Sequence, residues 1–355
     1  MAIDTTLFSE IARDYRRAAE WEEHKAVWLG WPWNENEWGR YLAGAQRELI
    51  RFCEAITHRD PSTHKARGEK IIMLVHDESS LTQAKAALQH LKDNIQFEIF
   101  PIGDIWLRDT SALFLDHRNN ANKQLAACFS FNGWGSKYII GQDTAVAQHI
   151  SSLSGLDSIS VPFVLEGGSI ESNGEDCCLT SRQCLLNPNR NAGMSEKEVE
   201  SLLKESLAFR KILWLDEGLA GDHTDGHIDN LARFINANTI LCMDPSGQDD
   251  PNASVLGAIK ARLKSFTDAQ GKAFEVVSIP SPGLVLDAQG QAIPASYMNF
   301  YIANSSIIVP AFGKDNDDIA RMALQDFFPD RQVFSLPAMD LLSGGGSFHC
   351  ISQQQ

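Results

Sequence analysis

The 355-residue chain has seven cysteines (Cys53, Cys128, Cys177, Cys178, Cys184, Cys242 and Cys350) but no C-x-x-C pair. An odd number without that spacing argues against a disulfide framework and against a zinc ribbon. There is no apolar run of about 18 residues, and the opening MAIDTTLFSEIARDYRR lacks an apolar core. Neither a membrane partner nor a signal peptide is therefore expected, and the chain reads as cytoplasmic. Low-complexity tracts are also missing, and with 43% hydrophobic and 22% charged residues a folded chain is expected. Positive charge is in short supply: 31 Lys and Arg against 46 Asp and Glu leave a net charge of −15. That balance repels a phosphate backbone, so no nucleic-acid partner is expected, and it welcomes a small cation. The same charge also serves plain solubility.

What is present is a recurring unit. A strand runs into a short polar node, a second strand or hairpin leaves it, and a helix returns. The nodes are Asp109, Glu166, His227, Asn299 and Cys350, spaced by 57, 61, 72 and 51 residues. Helices are expected between them at Thr144–Leu153, Ser195–Phe209, Ala253–Thr267 and Asp317–Phe327. Earlier in the chain the pattern predicts an amphipathic helix over Leu7–Glu23, a helix over Arg40–Thr57, a strand over Lys70–His76, a helix over Ser80–Leu91 and a strand over Ile95–Phe100. Trp28, Trp31, Trp33 and Trp38 are crowded together; Trp28 suits the core and one of the others a pocket wall. Five similar units without a Pro/Gly linker predict one domain over residues 1–355, closed and pseudo-symmetric. Hairpins such as Leu231–Asp244 imply antiparallel pairing, so an α/β arrangement of small mixed sheets around a central axis is favoured over a doubly wound parallel sheet.

The nodes would then bring a thiol, an imidazole and three carboxylates into one pocket. Cys350 follows Gly344-Gly345-Gly346, which permits close backbone approach, and FHCIS alternates like a half-buried strand. His227 and Asp229 lie two apart, so on a strand both face one side. Glu166 precedes Gly167-Gly168, and Asp109 follows Trp106-Leu107-Arg108. Each residue has a plain structural reading: an inert core thiol, a satisfied histidine, a turn carboxylate or a salt bridge. As a set, acids that stay ionised in a partly buried pocket require a cation. Zinc-type short-range spacing such as H-E-x-x-H is absent, so no metal is expected. A guanidinium fits better, because its planar fork pairs bidentately with carboxylates and presents its carbon to a thiolate.

The segments HKAVWLGWP, DIWLRDT, VLEGGSIESNGEDCCLT, CLLNPNRN, TDGHIDNLARF and GGGSFHCISQQ resemble the agmatine deiminase and bacterial-type peptidyl-arginine deiminase family, within the guanidino-group-modifying (pentein) superfamily. The resemblance runs from about His24 to the end. It implies a five-bladed α/β propeller of ββαβ units. It also implies Cys350 as nucleophile, His227 as general acid and base, Asp109 and Asp229 as clamps for the guanidinium, and Glu166 as orienter of His227 or of a guanidinium nitrogen. Trp106, His223 and Gly345 join the substrate-binding set. No cofactor is implied, and the substrate would be a small cationic guanidino compound. Two departures from the family pattern stand out: His223 replaces an acid and Ser347 replaces an asparagine.

Three readings follow: an agmatine deiminase forming N-carbamoylputrescine and ammonia, a deiminase of peptidyl-arginine or another guanidino compound, and a catalytically silent propeller that binds a cation or a protein. Assembly into a homo-oligomer is compatible with all three.

Overall fold

The computed structural model describes residues 5–58 and 67–355. The described residues form five separate sheets in a mixed α/β fold. Four of them are built from consecutive segments. Leu113–His117, Asn120–Ser130 and Asp157–Val164 form the first, joined at its edge by Tyr15–Arg16. Ile170–Ser172, Cys177–Ser181 and Lys211–Leu215 form the second; Ala232–Asn236, Thr239–Asp244 and Glu275–Pro280 the third; Tyr301–Ile302, Ser306–Ala311 and Gln332–Pro337 the fourth. In each, the first two of these strands pair antiparallel, a helix crosses over, and the third strand returns parallel to the second. The crossover helices are Val146–Ser154, Glu196–Leu207, Ala253–Leu263 and Asn316–Phe327, close to the expected spans.

The fifth sheet joins the two ends of the chain. Ser352–Gln354 pairs antiparallel with Ala26–Gly30, which is followed in parallel by Lys70–Val75 and Ile95–Ile99. Leu42–Thr57 and Glu78–Ala87 are its crossover helices. The apolar runs explain these strands: Ala26–Gly30 is buried throughout, as is most of Lys70–Val75, which is the signature of parallel strands covered on both faces. Local signals set the helix ends. Asp77 caps its helix at the Ser80 N–H, and Ser195 with Glu198 forms a capping box, a device that stabilises by roughly 1 kcal/mol. Trp28 is core, as expected, and Trp38 forms a pocket wall. Among the described residues, no helix is long and apolar enough to cross a membrane.

Two expectations are corrected. The first helix stops at Asp14, and Tyr15–Arg16 turns into a strand against Asp116–His117. Beyond it, Arg17 and Glu20 are buried: Arg17 donates to the Phe114 carbonyl, and Glu20 binds Arg108 and Arg233. Charges that resemble the outer face of a helix are therefore internal, Arg17 bonded to a carbonyl and Glu20 paired with arginines. The second correction concerns the nodes. None of the five polar residues lies in a strand. Asp109 sits in a single helical turn, Leu107–Thr110; Glu166 and His227 immediately precede the 3-10 turns Gly167–Ser169 and Ile228–Asn230; Asn299 precedes Tyr301–Ile302; Cys350 lies in a turn just before Ser352–Gln354. Each node occupies the same place in its unit, just ahead of the strand that enters the sheet.

Candidate active site

The thiol is aimed by its own turn and by a neighbouring node. The Asn299 amide Nδ2 donates to Cys350 Sγ at 3.0 Å, while its Oδ1 accepts the backbone N–H groups of His349 and Cys350 at 3.1 and 3.3 Å. The backbone N–H of Arg108 donates to the Cys350 carbonyl at 3.1 Å. A side chain at Gly346 would bring its Cβ to 2.9 Å from Cys350 Cβ and 3.0 Å from Sγ, so a glycine there keeps the sulfur clear. Burial, then the charges of Asp229 and Asp109, push the Cys350 thiol well above the ordinary range.

His227 is fully buried, with Asp109 Oδ1 3.7 Å from Nδ1 and Glu166 Oε2 3.9 Å from Nε2. These are ion-pair separations, too long for hydrogen bonds. Burial pulls the imidazole down, but the Asp109 charge, with Cys184 and Glu166, outweighs it and raises His227 well above its usual value. Burial raises Asp109. It acts on Glu166 as well, but there His227 and Arg190 overcome it and hold the carboxylate low. Asp229 is likewise held low against burial, chiefly by His349.

Asp109 and Asp229 are held by contacts that leave their inner faces open. Asp109 accepts the Gly168 N–H at 2.9 Å on Oδ1 and the Trp134 indole N–H at 2.8 Å on Oδ2. Asp229 Oδ2 lies 2.8 Å from His349 Nδ1 and 3.6 Å from Cys350 Sγ. Asp229 Oδ1 and both ring nitrogens of His227 are buried without a hydrogen-bond partner. A Cβ on Gly168 would lie 2.6 Å from His227 Nδ1, 2.9 Å from Asp109 Oδ1 and 3.1 Å from Asp229 Oδ2. The missing side chain thus keeps open the space where imidazole and both carboxylates face one another. Unpaired buried polar atoms cost about 1–3 kcal/mol each, a cost that a bound planar cation would offset.

Above this end opens a cavity of about 510 Å³, lined among others by Trp38, Trp106, Asp109, Trp134, Tyr138, His223, Gly345 and Cys350. Trp38 and Trp106 stack with centroids 5.9 Å apart, and both indoles donate to Asp104. Glu37 and Asp287 also line the cavity, and no Arg or Lys among the described residues does. Gly345 has φ of 128° and leaves open space in front of Trp106. His223 stands at the mouth, its Nδ1 3.1 Å from the Tyr138 hydroxyl. Of the eight residues expected from sequence, Cys350, Asp109, Trp106, His223 and Gly345 line the cavity, and His227, Asp229 and Glu166 are packed behind it.

Several supporting residues escaped the sequence reading. Trp134 points at Asp109 from a left-handed backbone, φ 52°. His349 sits between Asp229 and Glu20, with each ring nitrogen 2.8 Å from a carboxylate oxygen. Arg190 is buried, donates to Glu166 at 2.7 Å, and reaches Asp225 at 2.6 Å and the Thr224 carbonyl at 3.0 Å. Asp225 also pairs with Lys137 at 2.7 Å, so the loop bearing Trp134 and the loop bearing His223 are fastened together. Arg108 and Arg233 face away from the pocket into the Glu20 and Glu171 network. Cys184 lies beside Glu166 and His227, and the ligating atoms of these three all fall within 4.8 Å of one another.

Residues 16–355 match the profile of the Porphyromonas-type peptidyl-arginine deiminase family. A Legionella pneumophila (strain Paris) protein provisionally named agmatine deiminase is 38% identical, over 95% of this chain and 94% of its own. The Enterococcus faecalis agmatine deiminase, solved catalysing its reaction, is 28% identical and covers 98% of this chain and 97% of its own at a TM-score of 0.88. A cysteine-to-serine variant of the C. jejuni agmatine deiminase with substrate bound is 29% identical and covers 96% of both chains at a TM-score of 0.83.

Proposed function

Because the chain belongs to the Porphyromonas-type peptidyl-arginine deiminase family, we propose that it is a hydrolytic deiminase that converts agmatine and water to N-carbamoylputrescine and ammonia. The observation that carries this reading is the set of unsatisfied buried atoms. His227 Nδ1, without a hydrogen-bond partner, faces Asp109 Oδ1 and Asp229 Oδ2 across the space that Gly168 leaves open; Asp229 Oδ1 and His227 Nε2 are also unpartnered, and the Cys350 sulfur lies 3.6 Å from Asp229 Oδ2. A guanidinium is the cation whose shape and donors suit two carboxylates across such a gap.

In the proposed reaction Asp109 and Asp229 clamp the guanidinium. Its charge neutralises the two carboxylates that help to hold the Cys350 thiol high, and the thiol gives up its proton to solvent when the substrate is in place. The thiolate attacks the central carbon, forming a C–S bond and a neutral tetrahedral adduct. His227, which carries a proton in this acidic setting, donates it to one amino group, and ammonia leaves as the cationic amidino-thioether forms. His227 then takes a proton from water, the resulting hydroxide adds to the same carbon, and the C–S bond breaks as the adduct's hydroxyl proton passes to the departing sulfur, releasing the ureido product and restoring the Cys350 thiol. Glu166, fixed by Arg190 at 2.7 Å, orients His227.

Agmatine is favoured over arginine by the walls. Three tryptophans with Glu37, Asp104 and Asp287 suit an ammonium through charge and ring-face attraction, and a carboxylate would meet no guanidinium or ammonium partner there. We read the five sheets as blades around this pocket: each unit has the same strand order, the nodes touch, and Ser352–Gln354 closes onto Ala26–Gly30. On the same reading residues 1–355 act as one catalytic domain. The test is ammonia release from a panel of agmatine, arginine, a blocked peptidyl-arginine and simple alkylguanidines. Turnover of agmatine supports the assignment; preference for the blocked peptide would replace it by the second activity of the family; no release from any would overturn the deiminase reading.

A further inference from the structure

The ring nitrogen of His227 that faces Glu166 also faces Cys184, a thiol that plays no part in the proposed reaction. The three groups supply nitrogen, sulfur and oxygen, the ligand set favoured by zinc and other borderline-soft ions. Glu166 Oε2 lies 3.9 Å from His227 Nε2 and 3.9 Å from Cys184 Sγ, and no pair of the three atoms is more than 4.8 Å apart. A point equidistant from all three is therefore no more than about 2.5 Å from each, against about 2.0–2.3 Å for zinc bonds to these ligand types. A contraction of a few tenths of an ångström would close the site. His227 Nε2 is buried with no hydrogen-bond partner, so the metal would displace no protein contact of that atom. Arg190 occupies Glu166 Oε1 and leaves Oε2 available, while Asp109 and Asp229 add negative charge nearby.

We propose that Glu166, Cys184 and His227 form a site for a borderline-soft divalent cation, with zinc preferred, whose occupation silences the enzyme. Binding replaces the Cys184 thiol proton, and the Nε2 proton of His227 when that nitrogen carries one; these protons pass to solvent. The metal then holds Nε2, and the imidazole can no longer exchange a proton at that atom. Asp109, Asp229 and the cavity walls are not ligands, so zinc lowers kcat much more than it raises KM. Magnesium, which prefers six oxygen ligands, has no comparable site here. The silencing rests on the deiminase reading; the binding does not.

Cobalt(II) is the probe, because a thiolate bound to it gives a charge-transfer band in the near ultraviolet. Full-length, chelator-treated protein is titrated with cobalt chloride as wild type, Cys184→Ser and Cys350→Ser. The expected result is a band in wild type and in Cys350→Ser that zinc displaces and that Cys184→Ser lacks. A band that persists in Cys184→Ser places the ion on the nucleophile or on another cysteine and overturns the proposal, as does the absence of a band from wild type. Should Cys184→Ser fail to fold, Glu166→Gln decides: its cobalt affinity should fall at least about tenfold, and an unchanged affinity overturns the site. The readout is spectral, so a protein inactive toward agmatine would still give an answer.

Discussion

Trp134 donates its indole N–H to Asp109 Oδ2 at 2.8 Å from a left-handed backbone, φ 52°. Non-glycine residues adopt that conformation at a cost of order 1 kcal/mol, so the surrounding loop must hold it. Trp134→Phe keeps the ring but removes the donor. It should lower kcat/KM for agmatine by about tenfold, equivalent to ~1.4 kcal/mol, without changing the melting temperature. An unchanged kcat/KM would mean that the Gly168 N–H alone orients Asp109.

Cys350→Ala should abolish turnover, by at least about three orders of magnitude, while leaving thermal unfolding intact. A haloacetamidine should label Cys350, which lines the cavity, ahead of the other six cysteines, and agmatine should protect it. Residual activity within about tenfold of the parent would remove the thiol from its role.

On the proposed reading substrate choice is set at the far end of the cavity, since Asp109 and Asp229 would hold a group common to agmatine and arginine. Agmatine should exceed free arginine by at least about 100-fold in kcat/KM, or ~2.7 kcal/mol. His223→Glu, which places an acid at the mouth beside Tyr138, should keep or improve agmatine turnover. Comparable rates on arginine would defeat the agmatine assignment and leave the chemistry at the guanidinium untouched.

Treatment with a strong chelator should leave the rate unchanged or raise it. A loss that zinc or manganese restores would make the pocket acids metal ligands and not clamps.

Burial pushes the Glu48 carboxyl up to about 7 from an ordinary 4.5, although it accepts the backbone N–H groups of Asp340 and Leu341 at 3.2 and 2.8 Å. A carboxyl whose folded value is raised binds its proton more tightly in the native state. Its stabilisation is complete below about 4.5 and is lost as pH rises through about 7. Asp104 and Asp143 are also raised, to about 6 and about 7, so the measurement is a difference. Denaturant unfolding of wild type and Glu48→Gln at pH 5 and pH 8 should show wild type losing on the order of 2 kcal/mol more over that interval. Parallel curves would mean that Glu48 is not protonated in the native state at pH 5.

The repeat was legible because every unit advertises itself twice, through a polar node and through a hairpin followed by a helix. All eight residues expected at the site do line the cavity or pack directly behind it. What misled was periodicity near the nodes. Alternation in FHCIS and the two-residue spacing of His227 and Asp229 suggest strands, yet the backbone is turning at both places, because a node must leave one sheet before the next begins. The supporting shell was not legible at all. Glu20 meets Arg108 across 88 residues and His349 across 329, and such pairings leave no local trace. Trp134 was hidden for another reason: its aim depends on a backbone angle, and nothing in FNGWGS fixes that angle at the tryptophan.

The pairing of Ser352–Gln354 with Ala26–Gly30 also dictates an order of events in the making of the protein. Strand Ala26–Gly30 emerges from the ribosome more than 300 residues ahead of its antiparallel neighbour. Until then Trp28 lacks the Gln355 side chain that receives its indole N–H, and the sulfur has no strand to anchor it. Contacts this distant in sequence form slowly. A chain cut short anywhere before Cys350 therefore lacks both the sulfur and the strand that closes the sheet on Ala26–Gly30, however well its earlier sheets have formed.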